Sequence, residues 1–326
     1  MGNFFVTAAP YPTPDLRDAG TGCYEWPVRY CVSLQTDQVG RGAEFVSGPA
    51  VTEVARAAEA AGFDAVFVTE HPFPEDEWLA SGGHHALDPF VALTTAASVT
   101  TTLRVLSNLC VVPYRNPYLL AKAAASLDVL SGGRFVFGCG AGYLEAEFAA
   151  VGQAFADRND RFDAALVAMR AAWSGEGVPV DASGATHTML PRPVTPGGPP
   201  VWIGGNSRRA LRRAVEYADG WMPFPNPASQ AARRHTPELI TVDQVAGRLA
   251  EAAELAAATG RALTDVMFSP VASAPFGTDG WDAGAFRAEM DAFAAVGVTA
   301  MAVHVPAVDR RSYCDLLTGF GRAVIR

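Results

Sequence analysis

The chain has 326 residues, 49% of them hydrophobic and 18% charged, with 31 Gly and 23 Pro, a balance that suits one large or two medium globular domains with a sizeable core. The net charge is −9 and Lys122 is the single lysine, and no basic stripe interleaved with aromatics occurs, so nucleic acid is excluded as an expected partner. Five cysteines (Cys23, Cys31, Cys110, Cys139, Cys314) make no C-x-x-C pair, and no apolar run of about 18 residues or basic leader appears, so the expectation is a cytoplasmic protein with reduced thiols and no membrane partner.

Residues 1–27 read as an N-terminal extension without regular pattern. Strand-like runs then begin at Val28 (VRYCVSLQ), Asp64 (DAVFVTE), Leu103 (LRVLSNLCVV), Arg134 (RFVFGCG), Pro200 (PVWIGG), Asp219 (DGWMPF), Asp265 (DVMFSPVAS) and Val298 (VTAMAVHVP). Between them lie stretches such as VTEVARAAEAAG, PYLLAKAAASLDVL and VDQVAGRLAEAAELAAATG, whose apolar residues recur at three and four, the helical period. One Pro/Gly-rich segment, residues 174–200, interrupts the alternation just before the fifth strand, and like the extension it is a candidate to cover a barrel mouth or to mediate association.

Eight strands, each followed by a helix, predict an α/β fold of the (β/α)8 TIM-barrel type, with residues 1–326 as one domain; a doubly wound sheet is the alternative. In such barrels chemistry gathers at the C-terminal strand ends. There the second strand carries Glu70 and His71, the third Ser107 and Asn108, the fourth GCGAGYLEAE, the fifth GGNS and the eighth His304. An acid beside a histidine suits proton transfer at neutral pH, although a strand running into solvent also ends in polar residues for solubility alone. IGGNSRRALRRA, from Ile203, leads a strand through two glycines into a capped helix, where free N–H groups attract a phosphate; a tight connection is the plainer explanation. GCGAGY has Tyr143 where a dinucleotide loop would need its third glycine. Histidines at 71, 84, 85, 187, 235 and 304 form no metal-binding spacing, and G-x-S-x-G is absent, so neither a metal nor a serine nucleophile is expected.

ARAAEAAGFDAVFVTEH, VVPYRNPYLLAKAAASLDVLSGGRFVFGCGAGYLEAEFAAVG, RFDAALVAMRAAW and PPVWIGGNSRRALRRAVEYADGW, in this order and spacing, resemble the luciferase-like monooxygenases, and in particular their F420-dependent oxidoreductase branch. The resemblance runs strongly from Val28 to Phe224 and weakly beyond. It implies a deazaflavin, F420, at the barrel mouth, with FMN as the alternative cofactor of a monooxygenase, and a non-catalytic flavin-binding or structural relative as the alternative of another class. It further implies that Glu70 and His71 lie beside the redox ring, His71 handling a proton with help from Glu70. Asn108 and Leu109 stand where the family has a pair joined by a non-proline cis peptide against the ring. Gly140, Ala141, Gly142 and Tyr143 match a ring-contacting turn, and Gly204, Gly205 and Asn206 a phosphate turn. Tyr143 replaces the acid of the sugar-phosphate dehydrogenases, which argues against that substrate class. Arg115, in PYRNP, reads as part of a structural turn. The substrate is expected to be a small organic molecule, with Trp78 and His304 as candidate contacts, and the chain is expected to form a homodimer.

Overall fold

The computed structural model describes residues 28–234, 236–274, 276–306 and 308–325; the expected extension over residues 1–27, with Cys23, lies outside them. Strands in chain order are β1 (Arg29–Ser33), β2 (Ala65–Val68), β3 (Arg104–Ser107), β4 (Cys110–Val111), β5 (Phe135–Gly140), β6 (Val178–Pro179), β7 (Thr186–His187), β8 (Val201–Gly204), β9 (Gly220–Met222), β10 (Asp265–Phe268) and β11 (Ala300–Val303). The helices are α1 (Gly48–Ala61), α2 (Asp76–Ala80), α3 (Pro89–Ser98), α4 (Pro117–Ser131), α5 (Glu145–Ala150), α6 (Arg158–Trp173), α7 (Arg208–Tyr217), α8 (Ala228–Arg234), α9 (Val242–Thr259), α10 (Ala283–Ala295) and α11 (Arg310–Phe320).

Their ends follow local chemistry. Ser47, Asn116 and Ser207 accept the first free N–H groups of α1, α4 and α7, and Thr241 with Gln244 forms a capping box on α9. Gly62 and Gly132 close α1 and α4 in the left-handed region that glycine adopts without cost. The strands are short apolar runs, and β5 and β8 are buried along their whole length, as parallel strands covered by helices must be.

All barrel pairings are parallel, and β3 pairing with β5 closes the ring β1-β2-β3-β5-β8-β9-β10-β11, so the expected (β/α)8 barrel is the fold. The third barrel strand is split. Leu106 pairs with Val136 but Cys110 with Cys139, so four steps on one strand meet three on the other, the signature of a bulge at Asn108 and Leu109. Inside the barrel, Cys31, Ala65, Leu106, Val136, Trp202, Met267 and Ala300 interdigitate. Below them, the ion pairs Arg29 with Asp265 and Arg104 with Asp64 close the N-terminal end. Burial pushes the Cys31 thiol up to about 12, so this thiol is an inert apolar filler.

The segment 174–200 joins the end of α6 to the start of β8, both at the barrel end opposite the mouth. It forms the small antiparallel ribbon β6–β7, and Thr195 binds Asp128 of α4 through its N–H and its hydroxyl, each at 2.9 Å. A lid role for this segment is therefore overturned: an αβ connection emerges at the stability face, not the catalytic one.

Glu59 of α1 accepts the backbone N–H groups of Thr101 at 2.7 Å, Thr102 at 2.6 Å and Leu103 at 3.1 Å, fixing the approach to β3. Burial pushes its carboxyl up, but these donors outweigh burial and hold it down to about 2, against an ordinary 4.5. The stabilisation is therefore complete above about pH 4.5 and is lost as pH falls toward 2. Glu59→Gln should cost about 1 kcal/mol at pH 7, and urea titrations repeated at lower pH should show the two proteins converging.

Candidate active site

At the end of β2, consecutive residues send their side chains to different places. Glu70 is 4% exposed, accepts the Val111 N–H at 2.6 Å and pairs with Arg115 at 2.5 Å. Arg115 also pairs with Asp88 at 3.3 Å and lies over the Phe90 ring. A buried carboxylate needs such a cage, because an unpaired charge in that position would cost several kcal/mol.

His71 turns elsewhere. Its Nδ1 lies 3.2 Å from Glu147 Oε2 on α5, and the ring packs against Trp78 at 4.5 Å, His84 at 4.8 Å and Tyr143 at 6.5 Å between centroids. The carboxylate that serves His71 is thus Glu147, and the expected assistance from Glu70 is corrected: neighbours along an extended chain point to opposite sides. Glu147 is 1% exposed and also accepts the Tyr114 hydroxyl at 2.8 Å and the Phe73 N–H at 3.1 Å. Burial works to raise its carboxyl, but hydrogen bonds from His71, Tyr114 and Phe73 outweigh burial and hold it below the usual range. Burial, then the bond to Glu147, pushes the Tyr114 hydroxyl well up, so the phenol stays a donor.

At the bulge, the Asn108–Leu109 peptide is cis. A Cβ on Gly204 would collide with the Leu109 side chain, and one on Gly140 would approach it to 2.9 Å, so these glycines make the slot that Leu109 fills. Gly142 has φ +75 and no room for a Cβ, which would fall 2.6 Å from Val111; Ala141 lies between, and Tyr143 follows, exposed. Gly205, at φ +114, turns the chain into α7, whose capped N-terminus presents backbone N–H groups. Asn206 is buried with its amide spent on Phe224, donating to the carbonyl at 2.8 Å and accepting the N–H at 3.0 Å.

A cavity of about 350 Å³ opens at the C-terminal mouth, walled by Phe67, Asn108, Leu109, residues 222–225, residues 267–269 and Ala302. None of these side chains is charged. Its floor is apolar, and the Gly205–Asn206 turn braces one wall through Met222 and Phe224. Such a surface with a helix N-terminus behind it fits a flat ring system carrying a phosphate, as F420 and FMN both do. Of the residues singled out in the sequence, Asn108 and Leu109 line this cavity; Trp78 and Tyr143 meet His71; Gly140 and Gly204 act through Leu109; and His304 stands exposed just after β11. Sequence reasoning missed Glu147, Tyr114 and His84. Glu147 lies in YLEAEFAA, where its one signal is an acid among apolar neighbours.

Residues 29–275 match the family model of the luciferase-like monooxygenases. Among curated proteins, one from Mycobacterium tuberculosis without an assigned function is 34% identical over 186 residues, covering 52% of this chain and 63% of the relative. The F420-dependent hydroxymycolic acid dehydrogenase of the same species is 29% identical over 225 residues, covering 68% of this chain and 57% of that one. The chain thus spans less than two thirds of these relatives. Among solved structures, the monooxygenase RslO1 from Streptomyces bottropensis superposes with a TM-score of 0.73 at 21% identity, over 91% of this chain and 98% of that one, a likeness of fold.

The Glu70 cage generates a test of stability. Arg115→Met strands a buried carboxylate and should cost about 3 kcal/mol, whereas adding Glu70→Gln to the same chain should recover most of the loss in urea unfolding.

Proposed function

The chain belongs to the luciferase-like monooxygenase family, and from that premise we propose that it is an F420-dependent oxidoreductase, moving a hydride between the deazaflavin and a small, apolar organic alcohol or carbonyl compound. The observation that carries this reading is the imidazole of His71, held on a buried carboxylate at the end of the strand beside an uncharged mouth. The F420 dependence of the mycobacterial dehydrogenase supports the choice of cofactor, and the uncharged walls support an apolar substrate over a sugar phosphate.

In this reading, Asn108 and Leu109 support the ring from the bulge, Gly140 and Gly204 leaving room for Leu109 to do so. Residues 204–206 take the phosphate at the start of α7. When bound, F420 supplies hydride transfer and nothing else, so proton handling falls to the protein. As an alcohol is oxidised, its C–H bond yields the hydride and its O–H proton passes to a ring nitrogen of His71; in the reverse direction that nitrogen returns the proton to the carbonyl oxygen. Trp78 covers one face of His71 and keeps water from it, and His304 stands at the rim as a substrate contact. Glu70 works on the scaffold, through Val111 and Arg115. A second copy of the chain is the proposed partner, supported by Val91, Leu119 and Leu130, exposed on α3 and α4.

Equilibrium titration should show tighter binding of F420 than of FMN; preference for FMN, with oxygen uptake on reduction, would move the assignment to a monooxygenase. His71→Ala should keep F420 affinity within a few-fold and lower turnover by about 10²-fold. Turnover unchanged in that variant would remove His71 from the reaction.

A further inference from the structure

Glu147 has no counterpart among the acids that the sequence singles out, yet it is the most heavily engaged carboxylate at the mouth. It accepts three hydrogen bonds from three elements: the hydroxyl of Tyr114 before α4, the backbone N–H of Phe73 after β2, and the Nδ1 edge of His71. An ionised carboxylate accepts only, and Tyr114 and Phe73 can only donate to it. The contact between His71 and Glu147 is therefore a bond in which Nδ1 holds the proton.

We infer that Glu147 is a positioning residue that locks neutral His71 in the Nδ1–H tautomer, so that Nε2, on the far edge of the ring, is the bare nitrogen that takes and returns the substrate proton. This rests on the role given to His71 above. The depressed carboxyl of Glu147 agrees with the bond pattern. The two side chains are 11% and 1% exposed, so water competes little for the bond. The ring also packs against Trp78, His84 and Tyr143, and His84 Nδ1 lies 3.0 Å from the His85 carbonyl. Phe73 gives the carboxylate a second task, because its N–H ties the start of the loop carrying Trp78 and His84 to the same group. Proton traffic and the cover over His71 then depend on one side chain, the arrangement by which buried carboxylates orient histidines elsewhere.

The test uses the full chain labelled with ¹⁵N-histidine, its ring signals assigned by comparison with His71→Gln, so the first readout needs no cofactor. Neutral His71 should show a protonated Nδ1 and an unprotonated Nε2, and Glu147→Gln should restore a tautomer mixture. Kinetically, Glu147→Gln should lower kcat at least tenfold with KM and F420 affinity changed less than about twofold, and Glu147→Asp should recover part of it. A wild-type spectrum with the proton on Nε2 overturns the inference outright, even where the variant fails to fold. An unchanged tautomer ratio in folded Glu147→Gln overturns it as well. If the tautomer behaves as stated but F420 does not bind, the positioning role stands and the proposed function falls.

Discussion

The barrel closes through its third strand, and the geometry of the mouth depends on how that closure is made. Pairing of β3 and then β4 with the single strand β5 places one extra residue at Asn108–Leu109, against Val136 to Cys139 on the other side. Bulges re-aim side chains at barrel rims, and this one puts Leu109 into the slot between Gly140 and Gly204. The same closure sets β4 beside the end of β2, so that the Val111 N–H meets Glu70. Because β5 continues through residues 141–144 into α5, it also brings Glu147 to His71. One register step thus couples the lining of the cavity to both carboxylates.

Those two carboxylates are equally hidden and differently employed. Glu70 has a guanidinium partner, which makes its pair a closed unit: removing one member exposes the desolvation cost of the other, while the pair itself adds little net stability. Glu147 has no basic side chain against it among the described residues other than the imidazole of His71, and its charge is carried by hydrogen-bond donors. Donors without formal charge leave the carboxylate free to respond to His71, the one neighbour in this set that can carry a positive charge, as the role inferred for Glu147 requires.

Much of the fold was legible because its signals are local. Eight short apolar runs separated by three-and-four periodicity permit few arrangements, and Gly62 and Gly132 mark helix ends by a backbone conformation that few other residues take. The bulge was implied by resemblance and is present with Asn108 in place of a glycine. Within the candidate site only position along the strand was legible: His71 follows β2 as the sequence implies, whereas its hydrogen-bond partner was not foreseen. Adjacency in sequence suggested Glu70, but a carboxylate 76 residues away is the one in contact, and no periodicity reports a contact of that separation. The walls of the cavity, such as Phe67, Met222 and Met267, read as ordinary core. The mouth is a place where core residues stop being covered, and composition is blind to that. Of the two roles left open for residues 174–200, covering the mouth or mediating association, the first meets a directional obstacle: a segment between a helix end and a strand start begins and ends at the opposite face.

Charge at the mouth follows the same logic. Two buried acids next to an apolar cavity would repel electron-rich groups and raise the cost of bringing an anionic cofactor close. Arg115 neutralises one, and N–H and O–H dipoles surround the other. The N-terminus of α7 follows the Gly205–Asn206 turn that braces one cavity wall, and the helix dipole is positive at that end. In the proposed reading a phosphate would be drawn to that side, while His71 stands after β2; the order in which the chain places these elements around the barrel is what gives the mouth a direction.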